Sequence, residues 1–215
     1  MQKLTNRLQA CANLVKDGAR LADIGCDHGY VPVYLCETGK IKSAVASDVN
    51  EGPLNSCKSL VNFSGLNDKI KCVLSNGLQK IDKNEIDDIL IAGMGGELIA
   101  TILGACDYVK EKHIILNPMT HPELARKWLY DNGFEIINDI IVSDSRHHYS
   151  VFDAEYSGTF REYTQTDCFL GKINDYSDKE YFVHLLNYLK NKQKSGADYG
   201  AVIQEIETRI NNDNG

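Results

Sequence analysis

The chain has 215 residues, enough for one core of ordinary size plus a smaller appendage. Hydrophobic residues at 43% and charged residues at 25% describe an ordinary globular protein, and no apolar run approaches the ~20 residues of a membrane span. A formal charge of −7 excludes a surface that is basic overall but allows local clusters of Lys and Arg.

The N-terminal residues Met1–Arg7 lack the apolar centre of a signal peptide, and the seven cysteines never form Cys-x-x-Cys. A reduced, cytoplasmic protein without disulfides or a metal site is expected. Leu4, Leu8, Ala12 and Val15 recur at helical spacing, which predicts an opening amphipathic helix that Asp17-Gly18 ends. Leu21–Ile24 reads as a short buried strand. The turn Gly25-Cys26-Asp27-His28-Gly29 follows, and then a helix over Val31–Cys36. Lys42–Ser47 is a second strand, ending at Asp48. Gly52-Pro53 puts proline in the first turn of a helix, where it is tolerated, and Ser64-Gly65 stop that helix.

Three further strands are predicted at Ile70–Leu74, Ile86–Ala92 and His113–Leu116. They end at Ser75-Asn76-Gly77, at Gly93-Met94-Gly95-Gly96 and at Asn117-Pro118. Pro122 to about Asn132 is a helix closed by Gly133. Phe134–Val142 and His148–Tyr156 read as a hairpin turning over Ser143–His147. Strands alternating with helices and closed by a hairpin predict an α/β fold. The sheet is doubly wound and mostly parallel, with a terminal antiparallel hairpin that plain dehydrogenase sheets lack.

From about Gly158 the pattern changes. Residues 159–176 read as a linker with local structure. The stripes Phe182, Leu185, Leu186, Leu189 and Tyr199, Val202, Ile203, Ile206, Ile210 predict two helices joined through Lys194-Ser195-Gly196, an αα-hairpin. The expected organisation is a main domain over 1–158 and a linker with helical hairpin over 159–215, trailing into the polar residues Asn211–Gly215.

Ligands of such sheets lie beyond the carboxyl ends of the strands, and the unusual residues fall there. Asp23-x-Gly25-x-Asp27-x-Gly29 is not the dinucleotide pattern Gly-x-Gly-x-x-Gly. Asp27 replaces a glycine that would admit a pyrophosphate, and its carboxylate would repel one. A ligand bearing a cation and an amine, such as S-adenosylmethionine, meets no such penalty. Asp23, Gly25, Cys26 and Gly29 are therefore candidate cofactor-loop residues. Asp48 stands where an acidic residue takes up ribose hydroxyls, with Val49 against the adenine face and Asn50 at its edge or on the ribose. Asn76-Gly77 could match the adenine edge, and Ala92, Gly93 and Met94 could approach the donor side chain. Gly95 and Gly96 leave room for a bulky substrate. Lys190, Lys192 and Lys194 are candidate phosphate contacts, diluted by Asp178, Glu180, Glu205 and Glu207. Each feature has a plainer reading: a strand-end acid, an Asn-Gly turn, a tight strand-to-helix turn, a solvated lysine face.

Taken together, Leu21–Tyr30, Glu51-Gly52-Pro53, Asn76-Gly77-Leu78, Ile91–Gly96, Leu116-x-Pro118 and Trp128-Leu129-x-x-Asn132-Gly133-Phe134 resemble the bacterial tRNA (adenine(22)-N1)-methyltransferase family. The resemblance implies a Rossmann-like class I methyltransferase sheet that binds S-adenosyl-L-methionine, methylates N1 of an adenine in the tRNA D-arm and releases S-adenosyl-L-homocysteine. It also likens the αα-hairpin to that family's C-terminal coiled-coil domain. Under it, Asp27 is the candidate catalytic carboxylate near N6 of the base, Asn117 holds the base and His28 gives a supporting contact. Lys3, Arg7, Lys16, Arg126, Lys127 and Arg146, with the hairpin lysines, are candidates for docking tRNA. The expected partner is tRNA, with no membrane or metal, and a monomer is favoured. The competing readings are a methyltransferase acting on another RNA, a protein or a small molecule, a non-catalytic RNA-binding protein with a degenerate cofactor site, and a nicotinamide dehydrogenase.

Overall fold

The computed structural model describes residues 3–212; Met1, Gln2 and 213–215, the end of the expected polar tail, lie outside them. Seven strands form one sheet: β1 (Arg20–Ile24), β2 (Ser43–Asp48), β3 (Ile70–Leu74), β4 (Asp88–Gly95), β5 (His113–Thr120), β6 (Phe134–Asp144) and β7 (His147–Tyr156). Their order is β3-β2-β1-β4-β5-β7-β6. The first five are parallel, and β7 runs antiparallel between β5 and β6. This is the doubly wound sheet with a terminal hairpin that the sequence predicts.

Alternation along the central strands assigns each side chain to a layer. Leu21, Leu90 and Ile115 face one core with residues of α1 (Asn6–Leu14), α2 (Tyr30–Glu37) and α3 (Glu51–Phe63). Ala22, Ile89, Ile91, Ile114 and Leu116 face the other, against α4 (Gly96–Gly104) and α5 (Pro122–Asp131). With both faces covered, these strands must be apolar throughout, hence the runs Ile89–Ile91 and Ile114–Leu116. Each fully buried Leu or Ile contributes about 1.5–3 kcal/mol of transfer free energy.

Two strands run further than their apolar cores suggest. Ala92 pairs with Asn117 and Met94 with Pro118, leaving Gly93 unpaired, so the glycine stretch is bulged strand up to Gly95 and not a turn. The β6–β7 turn is likewise tighter than Ser143–His147: pairing continues to Asp144 and His147, leaving Ser145 at φ +60° and Arg146 between.

Residues 159–176 are more than a linker. They carry α6 (Gln165–Leu170), whose start is fixed by a capping box between Thr164 and Asp167. Phe169, Leu170, Ile173 and Tyr176 then join Phe182 and Leu189 of α7 (Lys179–Gln193) and Val202, Ile203 and Ile206 of α8 (Gly200–Asn212) in a third apolar cluster. The predicted αα-hairpin is present, but its core is completed from the segment before it.

A buried arginine fastens this cluster to the sheet. Arg126 on α5 is fully buried and forms a two-pronged ion pair with Asp139 on β6, at 2.8 and 3.0 Å. It also donates to the carbonyls of Cys168 and Phe169 at the end of α6. The Asp139 carboxylate and the last-turn carbonyls, which lack helical partners, hold its charge in place. Arg126 is therefore a structural clamp and no surface contact for tRNA, contrary to the sequence expectation. The reason is its place on the inner face of α5.

Candidate active site

The order of the sheet reverses between β1 and β4, and a cavity of 550 Å³ opens there beyond the carboxyl ends of the strands. Its walls include Asp23, Gly25, Cys26, Asp27, Asp48, Val49, Asn50, Asn76, Gly77, Ala92, Gly93 and Met94. Four strand ends thus bring the sequence-predicted cofactor residues to one place.

Asp23 is 5% exposed and lines the cavity, and its carboxyl receives no hydrogen bond among the described residues. Burial, together with the nearby charge of Asp48, pushes its carboxyl up to about 7. An unpartnered buried carboxyl costs free energy unless a ligand completes it. Asp48, also buried, accepts from the N–H of Asn50 at 2.9 Å and of Asp27 at 3.4 Å. A carboxylate has about four lone-pair positions, so both oxygens can still accept from a ligand. Val49 is 61% exposed on the cavity wall, an apolar side chain positioned to be covered. Arg7 is the one cation in this lining among the described residues, against the carboxyls of Asp23, Asp27 and Asp48. An orphaned acid, a strand-end acid and an apolar cover match the ammonium, ribose and adenine of S-adenosylmethionine; the residues fit that group.

Asp27 stands exposed at the rim in a left-handed backbone conformation, φ +50°. Such a conformation is uncommon outside glycine, although Asp is among the residues that tolerate it. Its carboxylate lies 3.7 Å from Nε2 of His28, whose ring stacks on Tyr30. His28 itself is outside the cavity lining, so it touches the site through Asp27 and Tyr30.

Four residues stand elsewhere than the sequence suggests. Gly29 does not line the cavity; it caps α2 at φ +72°, and a Cβ there would come within 2.4 Å of Cys57 Sγ. Its role is close packing of α2 on α3. Gly96 is similar: a Cβ would stand 2.0 Å from the His121 carbonyl oxygen, so this glycine, buried at the start of α4, lets the β5–α5 loop cross and offers no face to a substrate. Gly95 lies against Thr120, again outside the lining. Asn117 is fully buried and its amide is engaged on both sides, accepting from Arg7 at 2.9 Å and donating to the Ser150 carbonyl at 3.0 Å. It holds Arg7 at the cavity and does not itself face a base.

Sequence reasoning assigned Arg7 to surface docking and overlooked Leu98 and Met119, 50% and 36% exposed on the same cavity wall. Their apolar character close to the carboxyl ends of two strands, Leu98 after β4 and Met119 in the last residues of β5, was the available signal. Among the other docking candidates, Lys16 pairs with Glu155, Lys127 with Asp131 and Lys190 with Glu207. Lys194 donates to the Asn191 side chain at 3.4 Å. Arg146 is exposed with no hydrogen bond or ion pair among the described residues, Lys3 is exposed, and Lys192 lies 5.6 Å from the ring centre of Tyr188.

No group of His, Cys, Asp or Glu among the described residues could hold a metal, and no helix among them is long and apolar enough to cross a membrane. A family model described as a methyltransferase domain matches residues 4–152. A tRNA (adenine(22)-N(1))-methyltransferase of Bacillus subtilis is 35% identical over 213 residues, covering 97% of this chain and 90% of that protein. The crystal structure of the B. subtilis m1A22 tRNA methyltransferase TrmK superposes with a TM-score of 0.81 at 32% identity, covering 98% of this chain and 97% of that one. M. capricolum TrmK, in complex with S-adenosyl-homocysteine, superposes with a TM-score of 0.79 at 28% identity, covering 98% and 96%. With the strand order, the cavity and full-length kinship in agreement, the chain belongs to the tRNA (adenine(22)-N1)-methyltransferase family.

Proposed function

We propose that this protein transfers a methyl group from S-adenosylmethionine to N1 of adenine 22 in the D-arm of tRNA. The observation that carries the reading is the pair Asp23 and Asp48, buried together at the sheet's crossover point, the first with no hydrogen bond to its carboxyl among the described residues. Such a pair suits a donor with a cationic amine and a ribose diol. The kinship with the B. subtilis enzyme supports the choice of substrate. Seven cysteines, all free, suit a reducing cytoplasmic setting.

When bound, S-adenosylmethionine supplies an electrophilic methyl on a sulfonium. The protein's part is placement and charge. Asp23 takes the ammonium and Asp48 the ribose hydroxyls, while Val49, Asn50 and Asn76 confine the adenine of the donor. The target base lies paired or stacked in tRNA and must be extruded, at a cost of a few kcal/mol. Leu98 and Met119 offer apolar surface at the mouth to receive it. N1 of adenine attacks through its own lone pair, so no side chain has to deprotonate a nucleophile, and alignment supplies much of the rate. Positive charge then develops on the base, and the Asp27 carboxylate at the rim can accept a hydrogen bond, or the proton, from N6.

Incubation with unmodified tRNA and labelled donor, followed by nucleoside mass spectrometry, tests the assignment. N1-methyladenosine at position 22, absent when that adenine is replaced by guanine, is expected. Methylation elsewhere, or of no tRNA, would overturn it.

A further inference from the structure

A second cavity, of 640 Å³, lies between the carboxyl edge of the sheet and the helical hairpin. His121 of the β5–α5 loop, Arg146 and His147 at the β6–β7 turn, and Tyr149 on β7 form one wall, and His184 and Tyr188 on α7 form the other. It is therefore walled by flat rings contributed from both parts of the chain. The side chains of His184 and Tyr188 are exposed on α7 and make no hydrogen bond among the described residues, and the His184 ring stands edge-on to His148 at 6.3 Å. The nearby acids are occupied: Glu123 bonds His121 at 2.9 Å, and Asp178 bonds His148 at 2.7 Å, with Glu180 3.3 Å from the same ring.

Two contacts join this cavity to the methyl-donor cavity. Met119 lines both. Arg7 lines the first, and its guanidinium lies 5.8 Å from the ring centre of Tyr149 in the second. Asn117 fixes Arg7 between them through the bond from its guanidinium and anchors itself on Ser150. Arg146 lines the ring-walled space at the β6–β7 turn, while Arg7 lies over the Tyr149 ring and Lys192 over the Tyr188 ring at its margins. Three carboxylates, Glu123, Asp178 and Glu180, stand at the same groove, each beside a histidine ring, so its charge is balanced and its rings are what set it apart.

We infer that this groove binds the nucleotide adjoining the methylated adenine in the RNA strand, stacking its base on His184 and Tyr188 and setting its phosphate on Arg7. The inference rests on RNA being the substrate, as proposed above. Extruding one base from a strand leaves its neighbour without a stacking partner on that side. A space that shares the Met119 wall with the donor cavity, lined by ring faces and bordered by guanidinium groups, receives that neighbour and recovers part of the stacking lost. Stacking is indifferent to base identity, because every base has a π-face. The groove therefore binds the neighbour without selecting it, and selection of the target remains with the first cavity.

The test compares wild type with His184→Ala/Tyr188→Ala and with Tyr188→Phe, using tRNA that carries 2-aminopurine next to adenine 22. Wild type is expected to change the probe's fluorescence on binding. The double variant should lose that change and bind tRNA about tenfold or more weakly, with S-adenosylmethionine affinity and thermal melting as in wild type. Tyr188→Phe, which keeps the ring, should behave as wild type. Arg7→Gln should lower the slope of log affinity against log salt by about one. If wild type methylates tRNA while the double variant keeps both affinity and fluorescence change, the groove is not a nucleotide site, whatever else docks there. If wild type neither binds nor methylates tRNA, the functional reading fails first and the inference with it.

Discussion

The two ends of the sheet hold carboxylates in opposite circumstances. At the amino end, Asp88 of β4 and Asp153 of β7 are buried around His113 of β5. The imidazole Nε2 is 2.8 Å from Asp153, and Nδ1 lies 3.2 Å from Asp88 without hydrogen-bond geometry. The N–H of Lys16 also donates to Asp88, and Asn138 donates to Asp153 through backbone and side chain. At the carboxyl end, among the described residues, the Asp23 carboxyl has no hydrogen-bond partner, and Asp48 has two backbone N–H groups and no cation. Both pairs are buried, but only the amino-end pair faces a basic side chain, although Asp88 Oδ1 and His113 Nδ1 lack hydrogen-bond partners among the described residues. Burial of an acid is thus a poor sign of function by itself, whereas burial without a partner beside a cavity points to a missing ligand.

Removing the compensation at the amino end has the largest expected effect. His113→Phe would leave two buried carboxylates without a cation and should destabilise the fold by about 3–5 kcal/mol, read from urea denaturation. Burial lowers the imidazole's basicity, but the two carboxylates outweigh it and raise His113 to about 9. The stabilisation is therefore complete below the unfolded-state value near 6.5 and is lost as pH rises through about 9. Any loss of donor affinity at 25 °C in the folded variant would break the contrast between the two ends.

At the carboxyl end, Asp48→Ala should act the other way round. Hydrogen bonds to a charged group are worth about 1.5–3 kcal/mol, so S-adenosylmethionine affinity should fall roughly ten- to hundredfold in calorimetry. Denaturation midpoints of the free protein should move far less than for His113→Phe, because one buried charge beside Asp23 has been removed. A large loss of stability with unchanged affinity would make Asp48 structural, like Asp88.

Much of the carboxyl end was legible in the sequence because its signals are local. A strand's apolar run ends, and an aspartate, asparagine or glycine follows at once, as at Ile24-Gly25, Ser47-Asp48 and Ile91–Gly93. The amino-end cluster was not legible: Asp88, His113 and Asp153 become a unit only through strand order. Asn117 misled for the same reason. Its strand-end position suggested a ligand contact, but its partner Arg7 comes from α1, 110 residues away in sequence. Gly29 and Gly96 look like ligand glycines in one dimension, yet each is demanded by an element that crosses it in three, α3 in one case and the β5–α5 loop in the other.

The smallest expected effect is a pH dependence that only the uncompensated end should show in binding. Asp23 is raised to about 7 by burial first and by Asp48 second, far above its unfolded value of 3.8. In the free protein the native state therefore holds more protons than the unfolded state between about pH 4 and 7. Stability from this group falls as pH rises across that window and levels above it. A cationic ligand reverses the preference, since the ionised carboxylate is the form it attracts. Donor binding should release a proton at pH 6, and affinity should strengthen by up to about tenfold per unit towards pH 7 and then flatten. Calorimetry in buffers of different ionisation enthalpy measures the proton directly. Asp23→Asn should bind more weakly and show heats that no longer depend on the buffer. Buffer-independent heats in wild type would mean that Asp23 is already ionised and compensated, and that the two ends of the sheet are more alike than their hydrogen bonds suggest.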